Sequence, residues 1–430
     1  MPSQRICTCR RNAFAARAVA ARIHGVSGEA AALLRMVKAR LRFLINLQNN
    51  PNAIAPGGGD PRFRALLGLM SALRAEGHAV FVTCGWGGAC GHRCNRTGDG
   101  FYEDPRLHIW GELLLSYPLY KKGEAAVDIV VAWAHSHSCK EVGNRARSLR
   151  PRTLRFVYEH GLAKNTVTLD PRGLLGNSFY AERLNRVVQR GDAQEDCAMG
   201  SKRPQHMGHE DLPARIWRQF ILVPTQKALD VSVTQYSKTS MHQLMQQVIG
   251  FASNRSLPVV FKVHPHLISD VDGSGEGARQ EAMVSHLARV AAHPDVYVSR
   301  ADIRWLMKAA LITVTINGGT LFGNMVTKTP VLAVGRSMLT SNDGVIFDEN
   351  PQRGLQKIVD EKLPWPTWRQ HRQRQIVCWY KKMSLDAEQT PEHNLAVLWR
   401  HLDIARAQNC STRPSLQRKP PYSRRTCGRV

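Results

Sequence analysis

Apolar residues recur along this chain in two alternating patterns, short unbroken runs and stripes at three- and four-residue spacing. Their order predicts strands and helices in turn. Residues 41–47 form a short apolar run, followed by a loop rich in Asn, Pro and Gly that contains Gly57, Gly58 and Gly59. Pro61 then opens a helix with Phe63, Leu66, Leu67, Met70 and Leu73 at helical spacing, and Gly77 ends it. Runs at 79–83, 127–133 and 154–158 read as further buried strands. The same alternation restarts in the second half. Strands are predicted at 220–224, 259–263, 296–298, 311–316 and 331–334, with helices at 239–253, 282–291 and 301–310 between them. Strands alternating with helices predict parallel sheets covered on both faces.

The break between the two halves is compositional. Residues 189–215 carry Gly191, Gly200, Pro204 and Gly208, mixed charge and little apolar content, as a linker would. The predicted organisation is therefore a basic arm at 1–38, a Rossmann-like domain at 39–188, the linker, and a second Rossmann-like domain at 216–366. Helices at 367–408 pack back, and a basic tail follows at 409–430. In each doubly wound domain, ligands are expected beyond the carboxyl ends of the strands.

Charge changes the picture more than length does. The formal net charge of +25 predicts a field that attracts anions, whether nucleotides, acidic glycans, nucleic acid or anionic lipid. Part of it sits at the ends: residues 1–28 hold five Arg and no acid, a pattern shared by solvated arms and by targeting peptides. No aromatic-interleaved basic strand or nucleic-acid module stands out, so a nucleic-acid partner is not expected. The apolar runs at 127–134 and 305–316, the latter broken by Lys308, are far shorter than the roughly 20 residues a spanning helix needs. Ten scattered Cys make no disulfide framework and point to a reducing cytoplasm.

Three strand ends carry candidate chemistry. His264, before Pro265 at the end of the 259–263 run, is placed to donate to a phosphate, although a plain capping His reads the same. Asn317-Gly318-Gly319-Thr320 follows the 311–316 run and precedes a predicted helix. Such a turn presents backbone N–H groups to an anion, and equally can be a tight turn alone. Glu159, after the 154–158 run, is a candidate general base where a surface Glu is the commoner finding.

These sites occur in one order with two more segments: Thr168-Leu169-Asp170-Pro171-Arg172-Gly173, and Pro224 with Gln226 and Asp230. Together with Glu159-His160-Gly161, Lys262-Val263-His264-Pro265, the 316–319 turn, Lys328-Thr329-Pro330-Val331, Gly335 and the Trp379-Tyr380 pair, the chain resembles the capsule polysaccharide biosynthesis family. That family includes the bacterial β-Kdo transferases. The resemblance covers roughly 154–383 and implies an α/β fold of the GT-B type, two Rossmann-like domains facing a cleft. It implies a glycosyltransferase taking a CMP-activated acidic sugar, CMP-Kdo, to a lipid-linked or polysaccharide acceptor, without cofactor or metal. Glu159 would be the base, and, by the family's retaining members, Asp230 the nucleophile of a double displacement, with both an inverting and a retaining outcome left open. Gln226, Lys262, His264, Pro265, Asn317, Gly318, Gly319 and Thr320 would hold the nucleotide sugar. A cytoplasmic protein, peripheral on an anionic membrane surface, would suit the charge.

Two positions depart from the family pattern. Gly318 and Gly319 replace hydroxyl residues, and no Glu occurs near Gly323 and Asn324. A related transferase for CDP-glycerol or a UDP-sugar, or a non-catalytic glycan- or nucleic-acid-binding member, are the alternatives. Two further clusters remain. Cys84, Cys90, His92 and Cys94 lack the two-residue Cys spacing of zinc sites, and His135, His137 and Cys139 alternate as one face of an extended segment.

Overall fold

The computed structural model describes residues 40–47, 61–84, 127–133, 153–163, 165–173, 175–189, 191, 212–227, 230–264, 277–317, 319–361 and 365–411. Both His/Cys clusters, apart from Cys84, lie outside these residues, as do the predicted arm, most of the linker and the tail.

The first half builds a six-stranded sheet from β1 (Arg42–Leu47), β2 (Ala79–Cys84), β3 (Ile129–Trp133), β4 (Leu154–His160) and β5 (Thr166–Asp170). Its sixth strand, β12 (Ser384–Asp386), comes from the far end of the chain, and the order is β12-β5-β4-β3-β1-β2. β1 to β4 are parallel, as their continuous apolar runs predict. One edge departs from that expectation: β5 runs antiparallel to β4, and β12 antiparallel to β5. The helix α1 (Pro61–Ala75) lies against β2, β5 and β12. Gly77, at φ +83°, closes the turn behind it, a conformation glycine adopts without strain.

The second half builds a fully parallel sheet from β6 (Ile221–Pro224), β7 (Val259–Lys262), β8 (Val296–Ser299), β9 (Ile312–Thr315), β10 (Val331–Ala333) and β11 (Ile346–Phe347). The order is β11-β10-β9-β6-β7-β8. Alternate residues of each strand feed two cores. Ile221, Val223, Val259, Phe261, Ile312 and Val314 pack on α2 (Met241–Ser253), α3 (Gly277–Ala291) and a later helix that supplies Leu355 and Ile358. Phe220, Leu222 and Val260 pack on the other side against Leu306 and Met307 of α4 (Ile303–Ala309). With both faces covered, the sheet is doubly wound.

Local signals set the helix starts. Ser240 and Gln243 form a capping box on α2, worth about 1 kcal/mol. Asp302 caps α4, and Asn350 caps α6 (Pro351–Asp360) ahead of a proline at its first turn. Between them, α5 (Gly319–Thr327) follows β9 directly.

After α6, α7 (Thr367–Lys382) runs back along α5, and β12 joins the first sheet before α8 (Pro391–Ser411) begins. Two mainly parallel α/β sheets in tandem, the second doubly wound and the C-terminal segment returned to the first, make a fold of the GT-B type. No helix among the described residues is long and apolar enough to cross a membrane. The expectation of reduced thiols fails at one position: Cys378, buried on α7, is disulfide-bonded. Scattered spacing in the sequence does not reveal which thiols the fold brings within reach.

Candidate functional site

In the second sheet the chain starts at β6, moves outward to β7 and β8, then returns to the other flank of β6 as β9. The reversal lies between β6 and β9, so the crevice beyond their carboxyl ends is where a ligand is expected. Three candidate segments end there side by side: Thr225 and Gln226 after β6, His264 after β7, and Asn317 after β9. One strand spacing separates each from the next, so His264 and Asn317 stand about 10 Å apart.

Hydrogen bonds fix this rim. Thr225 Oγ1 donates to the Lys262 carbonyl at 2.9 Å and accepts from the His264 N–H at 2.9 Å, tying the end of β6 to the end of β7. Gln226 Nε2 donates to the Asn317 carbonyl at 3.3 Å, tying β6 to β9. Asn317 is almost wholly buried, 1 % exposed, and its Nδ2 donates to the Ser232 carbonyl at 2.8 Å and, more weakly, to that of Arg336 at 3.4 Å. Its side chain therefore braces the rim from within. Gln226 Oε1 and Asn317 Oδ1 are both buried with no hydrogen-bond partner. Such orphaned acceptors are rare in folded proteins and call for a donor.

The head of α5 completes the rim. Gly319 begins the helix, and a Cβ added there would meet nothing within 4 Å, so the space beside its backbone is open. An anion can therefore approach the first amides of a nine-residue helix. Thr320 follows in the same turn, where its carbonyl accepts from Asn324 Nδ2 at 2.8 Å. Half-buried Lys262 donates from Nζ to the Val263 carbonyl at 2.9 Å. Burial pushes its ammonium below the usual lysine range, with Arg300 acting the same way and Asp302 opposing. Pro265 and Gly318 lie outside the described residues.

The two acidic candidates differ in placement: Asp230 heads the short helix whose Ser232 bonds Asn317 and Gln226, whereas Glu159 lies in the first sheet. Asp230 is exposed at the head of the four-residue helix Val231–Thr234, where Oδ1 accepts from the Ser232 N–H at 2.7 Å. Its carbonyl accepts from Val233 and Thr234. These bonds all serve its own helix, as an N-cap does. Glu159 lies within β4, since that strand runs on to His160, and is half-buried opposite Thr168 of β5. Residues opposed across antiparallel strands share a face, and on that face the Thr168 hydroxyl meets the Tyr380 hydroxyl. Tyr380 also accepts from the Leu162 N–H at 2.7 Å, and its ring packs on Phe322 of α5 at 4.9 Å. A buried tyrosine of α7 thus links the strand carrying Glu159 to the helix that heads the second-sheet rim.

The Thr168-to-Gly173 motif turns out to be architectural. Asp170 Oδ1 accepts from the N–H groups of Arg172 at 2.8 Å, Gly173 at 2.9 Å and Phe179 at 3.0 Å, and the Ser178 hydroxyl donates to Oδ2. Burial pushes this carboxyl up to about 6 against the pull of those donors. The sequence reading also missed Thr225, Ser232 and Arg336, which position Gln226, His264 and Asn317. Only the place of Thr225, first after a strand, could have signalled one of them. Among the described residues no group of three or more His, Cys, Asp or Glu could hold a metal.

No family model matches the chain, and no curated protein matches it in sequence. Solved structures do. A β-Kdo 2,4 transferase, KpsC of Thermosulfurimonas dismutans, is 14% identical over 62% of this chain and 84% of its own, at a TM-score of 0.41. The β-Kdo 2,7 transferase of the same protein is 12% identical over 83% and 99%, also at 0.41. A UDP-GlcNAc 2-epimerase of Methanocaldococcus jannaschii, solved with UDP-GlcNAc and UDP, is 10% identical over 85% and 100%, at 0.36.

Proposed function

We propose that this protein is a glycosyltransferase whose second sheet binds a nucleotide-activated sugar at the rim formed by Gln226, Lys262, His264, Asn317 and the head of α5. The observation that carries the reading is the convergence of that rim on the crossover between β6 and β9. An open helix head and an imidazole two strands along the same rim suit an anionic nucleotide.

The donor follows from the resemblance to the capsule family: CMP-Kdo, transferred to a lipid-linked or polysaccharide acceptor by an enzyme working at an anionic membrane surface. A nucleotide phosphate leaves readily once its charge is stabilised, which is the role given to His264 and the amides from Asn317 to Thr320. Asp230 attacks the anomeric carbon, expelling CMP and forming a glycosyl ester. Glu159 then takes the proton of the acceptor hydroxyl, whose oxygen displaces Asp230 and restores its carboxylate.

CMP release from CMP-Kdo in the presence of an acceptor glycolipid tests this, with CDP-glycerol and UDP-GlcNAc as parallel donors. Turnover of CMP-Kdo alone, abolished by Asp230→Ala and by Glu159→Gln, is the expected result. Turnover of only another donor removes the Kdo assignment, and full activity in Asp230→Ala removes the double displacement.

A further inference from the structure

A second polar groove lies away from that rim, between α2 and α3 on one face of the second sheet, with a cavity volume of about 450 Å³. Its walls follow from helical spacing. His242 and Gln246 stand one turn apart on α2, and His286, Arg289 and His293 follow at three- and four-residue steps on α3 and just beyond it. Ile249 and Val290 supply the apolar remainder. The two helices and the turn after α3 thus bring three imidazoles, a guanidinium and a carboxamide to one space, and among the described residues no acid lines it.

Inside it, the rings of His242 and His286 lie 4.3 Å apart, tilted by 58°. His286 is buried, 7 % exposed, and its Nε2 has no hydrogen-bond partner. A buried ring nitrogen left unpaired beside a second imidazole costs free energy without adding to packing. The core below is already complete, formed by Met283 and Leu287 against Val296 of β8. A groove built only for packing would place apolar residues where these imidazoles stand.

We propose that this groove is an oxyanion site, separate from the nucleotide rim, that takes a phosphate group between His242, His286 and Arg289. Arg289 offers a planar pair of donors that fits such an oxyanion, and Gln246 adds a neutral one. Occupancy couples to protons. Burial, His242 and Arg289 together hold the His286 imidazole below its ordinary range, so in the free protein it is neutral. The titratable or charged groups facing it are His242 from α2, with Arg289 and His293 on its own side. β8 adds Val296 and Val298 to the core beneath it, and α6, on the far side of α2, meets Gly250 of that helix with Gln352. An entering phosphate reverses the electrostatic balance and favours the charged imidazole, so affinity rises as pH falls.

Inorganic phosphate and sulfate, the latter dianionic at both pH values, titrated into the full chain at pH 6 and pH 8 at constant ionic strength, read this by calorimetry, with the pH comparison made on sulfate. Sulfate binding about tenfold tighter at pH 6 is expected. Exposed Arg289→Gln, which leaves the helix intact, should lose the site about tenfold, as should His242→Gln. His264→Ala should keep it. Phosphate binding that is absent or unchanged in both groove variants, or sulfate binding independent of pH, overturns the proposal. Loss only in His264→Ala assigns the phosphate to the nucleotide rim and overturns it too. Loss only in the groove variants supports it whether or not any nucleotide binds, so the two readings fail separately.

Discussion

Asn317→Asp is the sharpest perturbation of the rim. It changes one atom type and almost no volume, and it replaces the Nδ2 donor to the Ser232 and Arg336 carbonyls by an oxygen. Two buried carbonyls then face an acceptor. Each buried group left unsatisfied costs about 1–3 kcal/mol. The protonated acid can still donate once, so near pH 4 the loss should be about 2 kcal/mol. Ionisation next to two carbonyl oxygens, in a side chain 1 % exposed, adds the cost of an uncompensated buried charge. The folded-state carboxyl is thereby raised above its unfolded value. Its protonated form is the stabilised one, and that stability is lost as pH rises. By pH 8 the loss should reach about 3–5 kcal/mol. Urea unfolding of the full chain by circular dichroism, at pH 5 and pH 8 beside Asn317→Ala, measures it. Asn317→Asp matching Asn317→Ala within about 0.5 kcal/mol at both pH values would refute the bracing role.

Other expectations follow from the same geometry. Gly335→Ala would place its Cβ 2.7 Å from Ile316 Cγ2 and 3.0 Å from the Ile316 carbonyl. Overpacking of that kind costs about 1–3 kcal/mol, seen as a lower melting temperature together with weaker nucleotide binding; unchanged binding would separate Ile316 from the rim. Asp170, raised by burial to about 6, favours its protonated form in the fold, so its contribution is complete below pH 4 and lost as pH rises through about 6. Asp170→Asn should therefore gain on the parent protein by up to about 3 kcal/mol between pH 4 and pH 7 in urea midpoints, and a pH-independent difference contradicts this. Asp348, buried and paired with Arg353 and Lys357, is held well below the usual carboxylate range, giving stability present above about pH 4 and lost in acid. Asp348→Asn should flatten that acid limb, and an unaltered acid transition would show that the pairs add nothing.

The second sheet was legible because its strands are predominantly apolar runs covered on both faces, a pattern that residues 220–224 display throughout and 259–263 and 311–316 display apart from Lys262, Thr313 and Thr315. The first sheet was legible only on its parallel side. β5 reads as a polar motif, Thr166 to Asp170, although all five residues are buried: the Thr166 hydroxyl and the Asp170 carboxylate are satisfied locally, and the Thr168 hydroxyl by distant Tyr380. β12 is three residues long and pairs with a strand more than two hundred positions earlier, which no local pattern encodes. At the rim, His264 and Asn317 were visible as residues that follow strands. The inward turn of the Asn317 side chain was not, since it depends on where the Ser232 and Arg336 carbonyls fall. The cap made by Asp230 needs only its own next residues, so its spacing alone could not separate structure from chemistry.

The account stands or falls on whether the rim at β6, β7 and β9 grips a nucleotide phosphate. Calorimetric titration of CMP into the full chain and into His264→Ala tests that most directly. The account predicts binding to the parent chain and a loss of about 10- to 100-fold in the variant, the worth of one charge-assisted hydrogen bond, at an unchanged melting temperature. Equal CMP affinity in the two proteins, or none in either, contradicts it.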